Sequence, residues 1–135
     1  MTTEIFSIHQ LDKLCQKLDL KNNPGIYLLR GDLASGKTSF VKAAIKFLGQ
    51  DDNVTSPTYL LTQKYGKNIY HYDIYRIDLQ ELLELGFLEE IEQEGWHFVE
   101  WGDEKLEQIL KNIGLSYKII EISTKDNARE YKIYA

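Results

Sequence analysis

The sequence feature that most constrains the fold is a glycine-containing segment at residues 31–38, which reads G-D-L-A-S-G-K-T. It matches the pattern G-x-x-x-x-G-K-[ST], of which a chain of this composition yields only about 0.005 accidental matches. Residues 26–29 before it form an apolar run of the length of a buried strand, and apolar residues recur at helical spacing after it. A strand, this segment and a helix in that order predict a phosphate-binding P-loop.

The residue types in this segment suit a polyphosphate. Backbone N–H groups of residues 33–38, at the start of a helix, can replace the water around phosphate oxygens, and the helix dipole adds to the attraction. The Lys37 ammonium would contact the β- and γ-phosphates and the Thr38 hydroxyl would ligate Mg²⁺. No N-K-x-D segment of the kind that binds guanine is present, which favours ATP as the nucleotide. The predicted nucleotide-binding residues are Gly31, Leu33, Ala34, Ser35, Gly36, Lys37, Thr38 and Ser39.

A Mg²⁺ ion at this site requires a carboxylate besides Thr38, because Mg²⁺ prefers oxygen ligands. Two acids are candidates, and the sequence leaves open which of them touches the metal directly. Asp73 lies on a strand with alternating polar residues, and Glu100 closes the apolar run F-V-E. We therefore predict Lys37, Asp73 and Glu100 as catalytic residues, and Thr38, Glu100 and Asp73 as metal ligands.

The rest of the chain predicts a single α/β domain over residues 1–135. Helices are expected from Ser7, with Gln10 as its capping-box partner, after the glycine segment and up to Gly49, from Asp78, and over residues 103–113. Strands are expected at residues 26–29, in an antiparallel hairpin of 59–65 and 69–77, and at 96–101, 117–123 and 129–134. We expect a P-loop NTPase-like three-layer fold in which helices flank a mixed central sheet.

Composition narrows the function further. The net charge of −5 argues against a broad basic face that grips nucleic acid. No apolar stretch approaches the roughly 20 residues of a membrane span, and no leader pattern is visible, so we expect a cytoplasmic protein without a membrane partner. The single cysteine, Cys15, excludes an internal disulfide and a cysteine-based zinc site.

Four segments together resemble one family. G-D-L-A-S-G-K-T at 31–38, S-P-T-Y at 56–59, H-Y-D-I-Y-R at 71–76 and V-E-W at 99–101 occur in the order seen in TsaE, the small bacterial P-loop ATPases of tRNA threonylcarbamoyladenosine synthesis. The resemblance spans residues 7–134. It implies a P-loop α/β fold, Mg²⁺-dependent ATP hydrolysis and association with TsaB and TsaD, with tRNA reached only through that complex.

The resemblance also implies roles for single residues. Lys37 would hold phosphate, Thr38 would ligate Mg²⁺, and Asp73 and Glu100 would match acidic residues that serve the metal or position water. Further matches are Thr58 in a segment that resembles a switch loop, Trp101 beside the acid, and Arg129 as a C-terminal arginine near the nucleotide. The family's second loop glycine is replaced here by Ala34.

Other interpretations of the sequence stay open at this point. The chain could be a small-molecule kinase of the P-loop class, or a nucleotide-gated interaction module in which hydrolysis is incidental. His71 shares a strand face with Asp73 and is either a packed or surface histidine or a catalytic one. Arg76 is either a phosphate contact or a surface ion-pair partner, and Trp101 is either a site residue or core.

Overall fold

A single eight-stranded mixed sheet organises the chain in the computed structural model, which describes residues 1–32, 36–51, 56–57, 62–75 and 77–134. The strand order across the sheet is β1-β8-β7-β2-β6-β5-β4-β3. The strands are β1 (Thr2–Phe6), β2 (Gly25–Arg30), β3 (Ser56–Pro57), β4 (Thr62–Tyr65), β5 (Ile69–Asp73), β6 (Trp96–Glu100), β7 (Tyr117–Lys125) and β8 (Ala128–Tyr134).

The centre of the sheet is parallel and its two flanks are antiparallel. Strand β2 pairs in parallel with β6 and β7, and β5 pairs in parallel with β6. Parallel strands are covered on both faces, which is why residues 26–29 of β2 are an uninterrupted apolar run. The flanks are the pairs β7–β8 and β8–β1 on one side and β5–β4 and β4–β3 on the other. The mixed α/β architecture is as expected from the sequence.

Helices cover both faces of the sheet. They are α1 (Leu11–Lys17), α2 (Lys37–Phe47), α3 (Leu79–Glu84), α4 (Phe87–Ile91) and α5 (Glu104–Asn112). Helices α1 and α2 pack their apolar faces on one side of the central strands, where Leu14, Phe40 and Ile45 are fully buried. Helices α3, α4 and α5 bury Leu82, Phe87 and Leu106 against the other side. The sheet therefore lies between two helical layers.

Local signals in the sequence set several of these boundaries. The Gln10 side chain accepts a hydrogen bond of 3.1 Å from the Ser7 backbone N–H, as expected of a capping box, although residues 8–10 form a 3-10 turn before α1 begins. Asp103 caps α5 by accepting from the Leu106 N–H at 3.0 Å. Gly49, in the left-handed region at φ 88°, follows the end of α2.

One expectation is wrong, and one strand is not among those expected from the sequence. The second hairpin strand ends at Asp73 and not at Ile77, because the chain leaves the sheet and approaches α3, which begins at Leu79. Strand β1 carries no apolar alternation that would predict it. Only Phe6 of its residues is buried, and the strand exists because it completes the edge beside β8. Among the described residues no helix has the length and apolar character needed to span a membrane.

Candidate functional site

Three neighbouring parallel strands end together at the site. In the sheet register Glu100, the last residue of β6, lies opposite Leu29 of β2 on one side and Asp73 of β5 on the other. The glycine segment leaves β2 at the same edge and leads into α2. Ligands of open α/β sheets bind outside the carboxyl ends of parallel strands, so this edge is the expected place for a site.

Lys37, the first residue of α2, is a buried cation with its ammonium held by the backbone. Only 3% of the residue is exposed, and its Nζ donates to the carbonyl oxygens of Gly31 at 2.6 Å and Asp32 at 2.8 Å. Burial lowers the pKa of Lys37, and the negative charges of Glu100, Asp32 and Asp73 oppose that shift. An ammonium that has lost most of its water is well prepared to accept the oxygens of an anion in place of the two carbonyls.

Trp101 covers this ammonium with its indole ring. The Nζ of Lys37 lies 3.9 Å from the ring centroid, within the range of a cation–π interaction, and the Tyr75 ring packs on the indole at 4.5 Å. Trp101 has a left-handed backbone at φ 70°, which costs a bulky residue roughly 1–2 kcal/mol. Its N–H donates to the Leu29 carbonyl at 3.1 Å, and this bond, with the two ring contacts, holds the conformation. The half-buried indole therefore packs against the Lys37 ammonium and is not enclosed in the core.

Glu100 joins the helix and the neighbouring strand through its carboxylate. The Thr38 hydroxyl of α2 lies 3.1 Å from Oε1 and 3.2 Å from Oε2, and Nε2 of His71 lies 2.5 Å from Oε2. Glu100 is 4% exposed and His71 8%, whereas Thr38 is exposed. The arrangement presents one hydroxyl and one buried carboxylate to the space above the start of α2.

Asp73 lies beside this group but makes a different contact. Its side chain is exposed, and Oδ1 accepts a hydrogen bond of 3.3 Å from the Tyr75 backbone N–H. Because Asp73 is the register partner of Glu100, the two acids flank the same end of the sheet. The structure thus brings Lys37, Thr38 and Glu100 together and places Asp73 next to them.

Arg129 lies on β8, which β7 and β2 separate from β6, and its side chain is close to Gly36 at the start of α2. A side chain at Gly36 would meet the Arg129 Nε at 3.5 Å, and Gly36 itself has φ 104°, which favours glycine. Gly36, Ser39 and Arg129 line a cavity of about 220 Å³ together with Ser7 and Asn127. Arg129 is therefore adjacent to Gly36, the residue that precedes α2.

Some predicted residues lie outside the described part of the chain, and the sequence leaves the role of His71 open. Leu33, Ala34, Ser35 and Thr58 lie outside the described residues, as does Arg76. The contact of His71 with Glu100 depends on the adjacency of β5 and β6, which the sequence does not reveal. The available signal was the spacing of His71 two residues before Asp73, which places both on one face of a strand.

The donor set fits Mg²⁺. Mg²⁺ in phosphate-binding sites is held by one or two carboxylates with waters and phosphate oxygens, and it does not require a cage built from protein side chains alone. Thr38 with Glu100, and Asp73 beside them, provide such hard oxygen donors. Within the described part of the chain, no group of three or more His, Cys, Asp and Glu side chains forms a protein-only metal cage.

Fold and site together define an α/β protein with a lysine, a threonine and a glutamate gathered where parallel strands end, beside the start of α2. The family model described as "Threonylcarbamoyl adenosine biosynthesis protein TsaE" matches residues 5–132. The chain belongs to the TsaE family.

Three relatives, each named tRNA threonylcarbamoyladenosine biosynthesis protein TsaE, give the extent of the similarity. The protein of Rickettsia typhi is 43% identical over 112 residues, covering 79% of this chain and 72% of the relative. That of Haemophilus influenzae is 35% identical over 111 residues, covering 79% and 68%. That of Bacillus subtilis is 32% identical over 119 residues, covering 79% and 75%.

Proposed function

We propose that this protein takes part in tRNA threonylcarbamoyladenosine biosynthesis and that it does so as a Mg²⁺-dependent P-loop ATPase. The observation that carries the proposal is the buried, backbone-held ammonium of Lys37 directly beside the Thr38–Glu100 pair. Family membership supports the pathway, because the relatives carry the pathway in their names.

ATP binding follows from what the start of α2 offers to an anion. An α-helix begins at Lys37 directly after Gly36, so its first N–H groups have no partner within the helix and can donate to phosphate oxygens. The Lys37 ammonium would exchange the carbonyls of Gly31 and Asp32 for phosphate oxygens. The nucleoside end of ATP would extend toward Ser39 and Arg129.

Mg²⁺ would be held by Thr38 and one of the two acids, and when bound it would neutralise the charge that develops on the phosphates. The chain's own acids then position the attacking water. Glu100 or Asp73 would accept a hydrogen bond from that water and aim it at the γ-phosphate, in line with the leaving ADP. Lys37 and the backbone N–H groups would stabilise the phosphate oxygens during transfer.

Turnover by the isolated chain should be slow, because among the residues that the structure describes neither Arg30 nor Arg129 is placed to complete the site. The Arg30 side chain donates to the Gly102 carbonyl at 2.7 Å and forms an ion pair with Glu107. It is therefore held by the loop after β6 and by α5. Arg129 lies on β8, beside Gly36. A partner could supply the missing charge, and an arginine supplied in trans raises hydrolysis by about 10³–10⁵-fold in related reactions.

We further propose that the partners are TsaB and TsaD and that the protein acts in the cytoplasm, meeting tRNA only through that complex. ATP turnover would support repeated cycles of the modification enzyme and would not transfer the threonylcarbamoyl group itself. The acidic net charge of −5 is consistent with an indirect role toward tRNA.

The test is tRNA modification reconstituted from TsaB, TsaD and a supply of threonylcarbamoyl-adenylate, measured over many turnovers. Addition of this protein with ATP and Mg²⁺ should raise the yield, and Lys37→Ala should abolish the increase. Lys42→Ala is the matched control, because Lys42 is an exposed lysine of the same helix. A yield indifferent to the protein, or to Lys37→Ala, would overturn the proposal, and ADP release that depends on a small-molecule acceptor would identify a kinase.

A further inference from the structure

We propose that His71 is a positioning residue for the metal site, acting through Glu100. This inference rests on the proposed Mg²⁺–ATP function and adds to it a residue with a defined task. His71 would hold one carboxylate oxygen of Glu100, so that the other oxygen stays on the side of Thr38 and the cation.

The contact joins a buried imidazole and a buried carboxylate within hydrogen-bond distance. Nε2 of His71 lies 2.5 Å from Oε2 of Glu100, and both residues are buried. An ionised carboxylate offers only lone pairs, so the imidazole must donate the proton from Nε2. Hydrogen bonds of this kind are roughly twice as strong as those between neutral groups, and in a buried place they fix the orientation of the acceptor.

The backbone fixes both partners before any ligand arrives. His71 lies on β5 opposite Phe98 of β6, and Glu100 lies two residues further along β6 on the same strand pair. Both strands are interior strands of the sheet, so hydrogen bonds to neighbouring strands on both sides hold the backbone positions of His71 and Glu100. Thr38 approaches the same carboxylate from α2, at 3.1 Å from Oε1 and 3.2 Å from Oε2. Glu100 thus has one donor on the strand side, which contacts Oε2 alone, and one on the helix side, and together they hold the orientation of its carboxylate.

The other buried histidine of the described residues shows what a packing role looks like. Nδ1 of His97 contacts the Tyr72 hydroxyl at 2.8 Å, Nε2 donates to the Gln93 carbonyl at 2.7 Å, and the ring stacks on Tyr70. None of these partners belongs to the site. His71, in contrast, spends its Nε2 proton on the acid beside Thr38, which is the arrangement of an outer-shell residue that orients a metal-binding carboxylate.

The test compares two substitutions at His71. His71→Gln keeps an N–H donor at the same number of bonds from Cβ, whereas His71→Leu removes the donor and retains bulk. Removing an outer-shell partner lowers metal affinity by about 10- to 100-fold. His71→Leu should therefore raise, by that factor, the free Mg²⁺ concentration needed for half-maximal binding to the complex with a non-hydrolysable ATP analogue, measured by calorimetry. His71→Gln should restore most of the affinity, and nucleotide binding in EDTA should be unchanged in both.

His97→Leu is the matched control, since it removes an equally buried imidazole from the next strand and should leave the Mg²⁺ requirement unchanged. A second measurement compares the Mg²⁺ affinity of Glu100→Gln with that of the double variant His71→Leu/Glu100→Gln. The double variant should bind Mg²⁺ only slightly more weakly than Glu100→Gln alone, because His71 acts through Glu100. Wild-type Mg²⁺ affinity in folded His71→Leu, or equal losses in His71→Leu and His71→Gln, would overturn the inference. Failure of the wild-type protein to bind Mg²⁺–nucleotide would instead overturn the proposed function.

Discussion

Glu100 allows the structural and the chemical roles of one buried acid to be separated by two substitutions. Glu100→Ala leaves the buried His71 without an acceptor, and an unsatisfied buried donor costs about 1–3 kcal/mol. It also deletes a buried methylene worth about 0.8 kcal/mol. The exposed Thr38 hydroxyl can turn to water at little cost. We therefore expect Glu100→Ala to lower the free energy of unfolding by about 2–4 kcal/mol.

Glu100→Gln keeps the shape and satisfies both neighbours. The amide oxygen can accept from His71, and the amide N–H₂ can donate to the Thr38 oxygen, so the free energy of unfolding should stay within about 1 kcal/mol of the wild type. Both variants lose the negative charge of Glu100, which the proposed function uses to ligate Mg²⁺ or to position the attacking water. Each should therefore reduce Mg²⁺-dependent ATP turnover by about 10²-fold or more.

The assay pairs urea unfolding in EDTA with ADP release in Mg²⁺. A Glu100→Gln protein as unstable as Glu100→Ala would refute the reasoning on stability, because the negative charge and not the hydrogen bonding would then hold the site together. A Glu100→Gln protein with wild-type ADP release would refute the assignment of Glu100 as the acid.

Three further predictions concern other parts of the molecule. Phosphate binding should draw the Lys37 ammonium away from the Trp101 ring. In a Trp96→Phe protein, where Trp101 is the remaining tryptophan, nucleotide should therefore change the tryptophan fluorescence. An unchanged signal at saturating nucleotide would contradict this prediction. Burial lowers the pKa of His97 to about 4 from the usual 6.5. The contribution of the neutral imidazole to the free energy of unfolding is therefore complete above pH 6.5. It falls by about 3 kcal/mol as the pH drops to about 4, because the unfolded state takes up the proton first. The variant His97→Gln should show a flatter urea midpoint over this pH range, and an unchanged slope would exclude this cause. In Gly95→Ala the new Cβ would lie 2.0 Å from the Asn68 carbonyl oxygen, whereas in Gly25→Ala, at a similar φ, it would meet nothing within 4 Å. Gly95→Ala should therefore lower the melting temperature much more than Gly25→Ala does. Equal decreases would contradict the steric explanation.

Much of the fold could be predicted because local signals and tertiary contacts agree. Residues 26–29 are apolar throughout and form the fully covered strand β2. Leu106 and Leu110 lie at helical spacing on α5, and both are fully buried. Glu100, at the end of the run F-V-E, is a candidate site residue from the sequence because a polar residue that ends a buried strand lies at the edge of the sheet. The structure places it within hydrogen-bond distance of Thr38.

The remaining features depend on contacts between distant segments. Strand β1 has one buried residue, so nothing in its pattern distinguishes it from a polar terminus until β8 is beside it. Strand β6 pairs between β2 and β5, an order that no periodicity encodes, and His71 meets Glu100 only because of it. Trp101, with its left-handed backbone, lies over the Lys37 ammonium, and this contact likewise depends on three separate segments. They are the start of α2, the end of β6 and strand β2, whose Leu29 carbonyl accepts the Trp101 N–H.

The most direct test of the central claim is a calorimetric titration of a non-hydrolysable ATP analogue with Mg²⁺ into the protein and into Lys37→Met, which keeps the buried stem and removes the ammonium. Loss of a charge-assisted contact worth about 1.5–3 kcal/mol predicts saturable binding of one nucleotide per chain that is about 10- to 100-fold weaker in Lys37→Met. Absence of saturable heat with the wild-type protein, or equal affinity of the two proteins, would contradict a phosphate site at the start of α2.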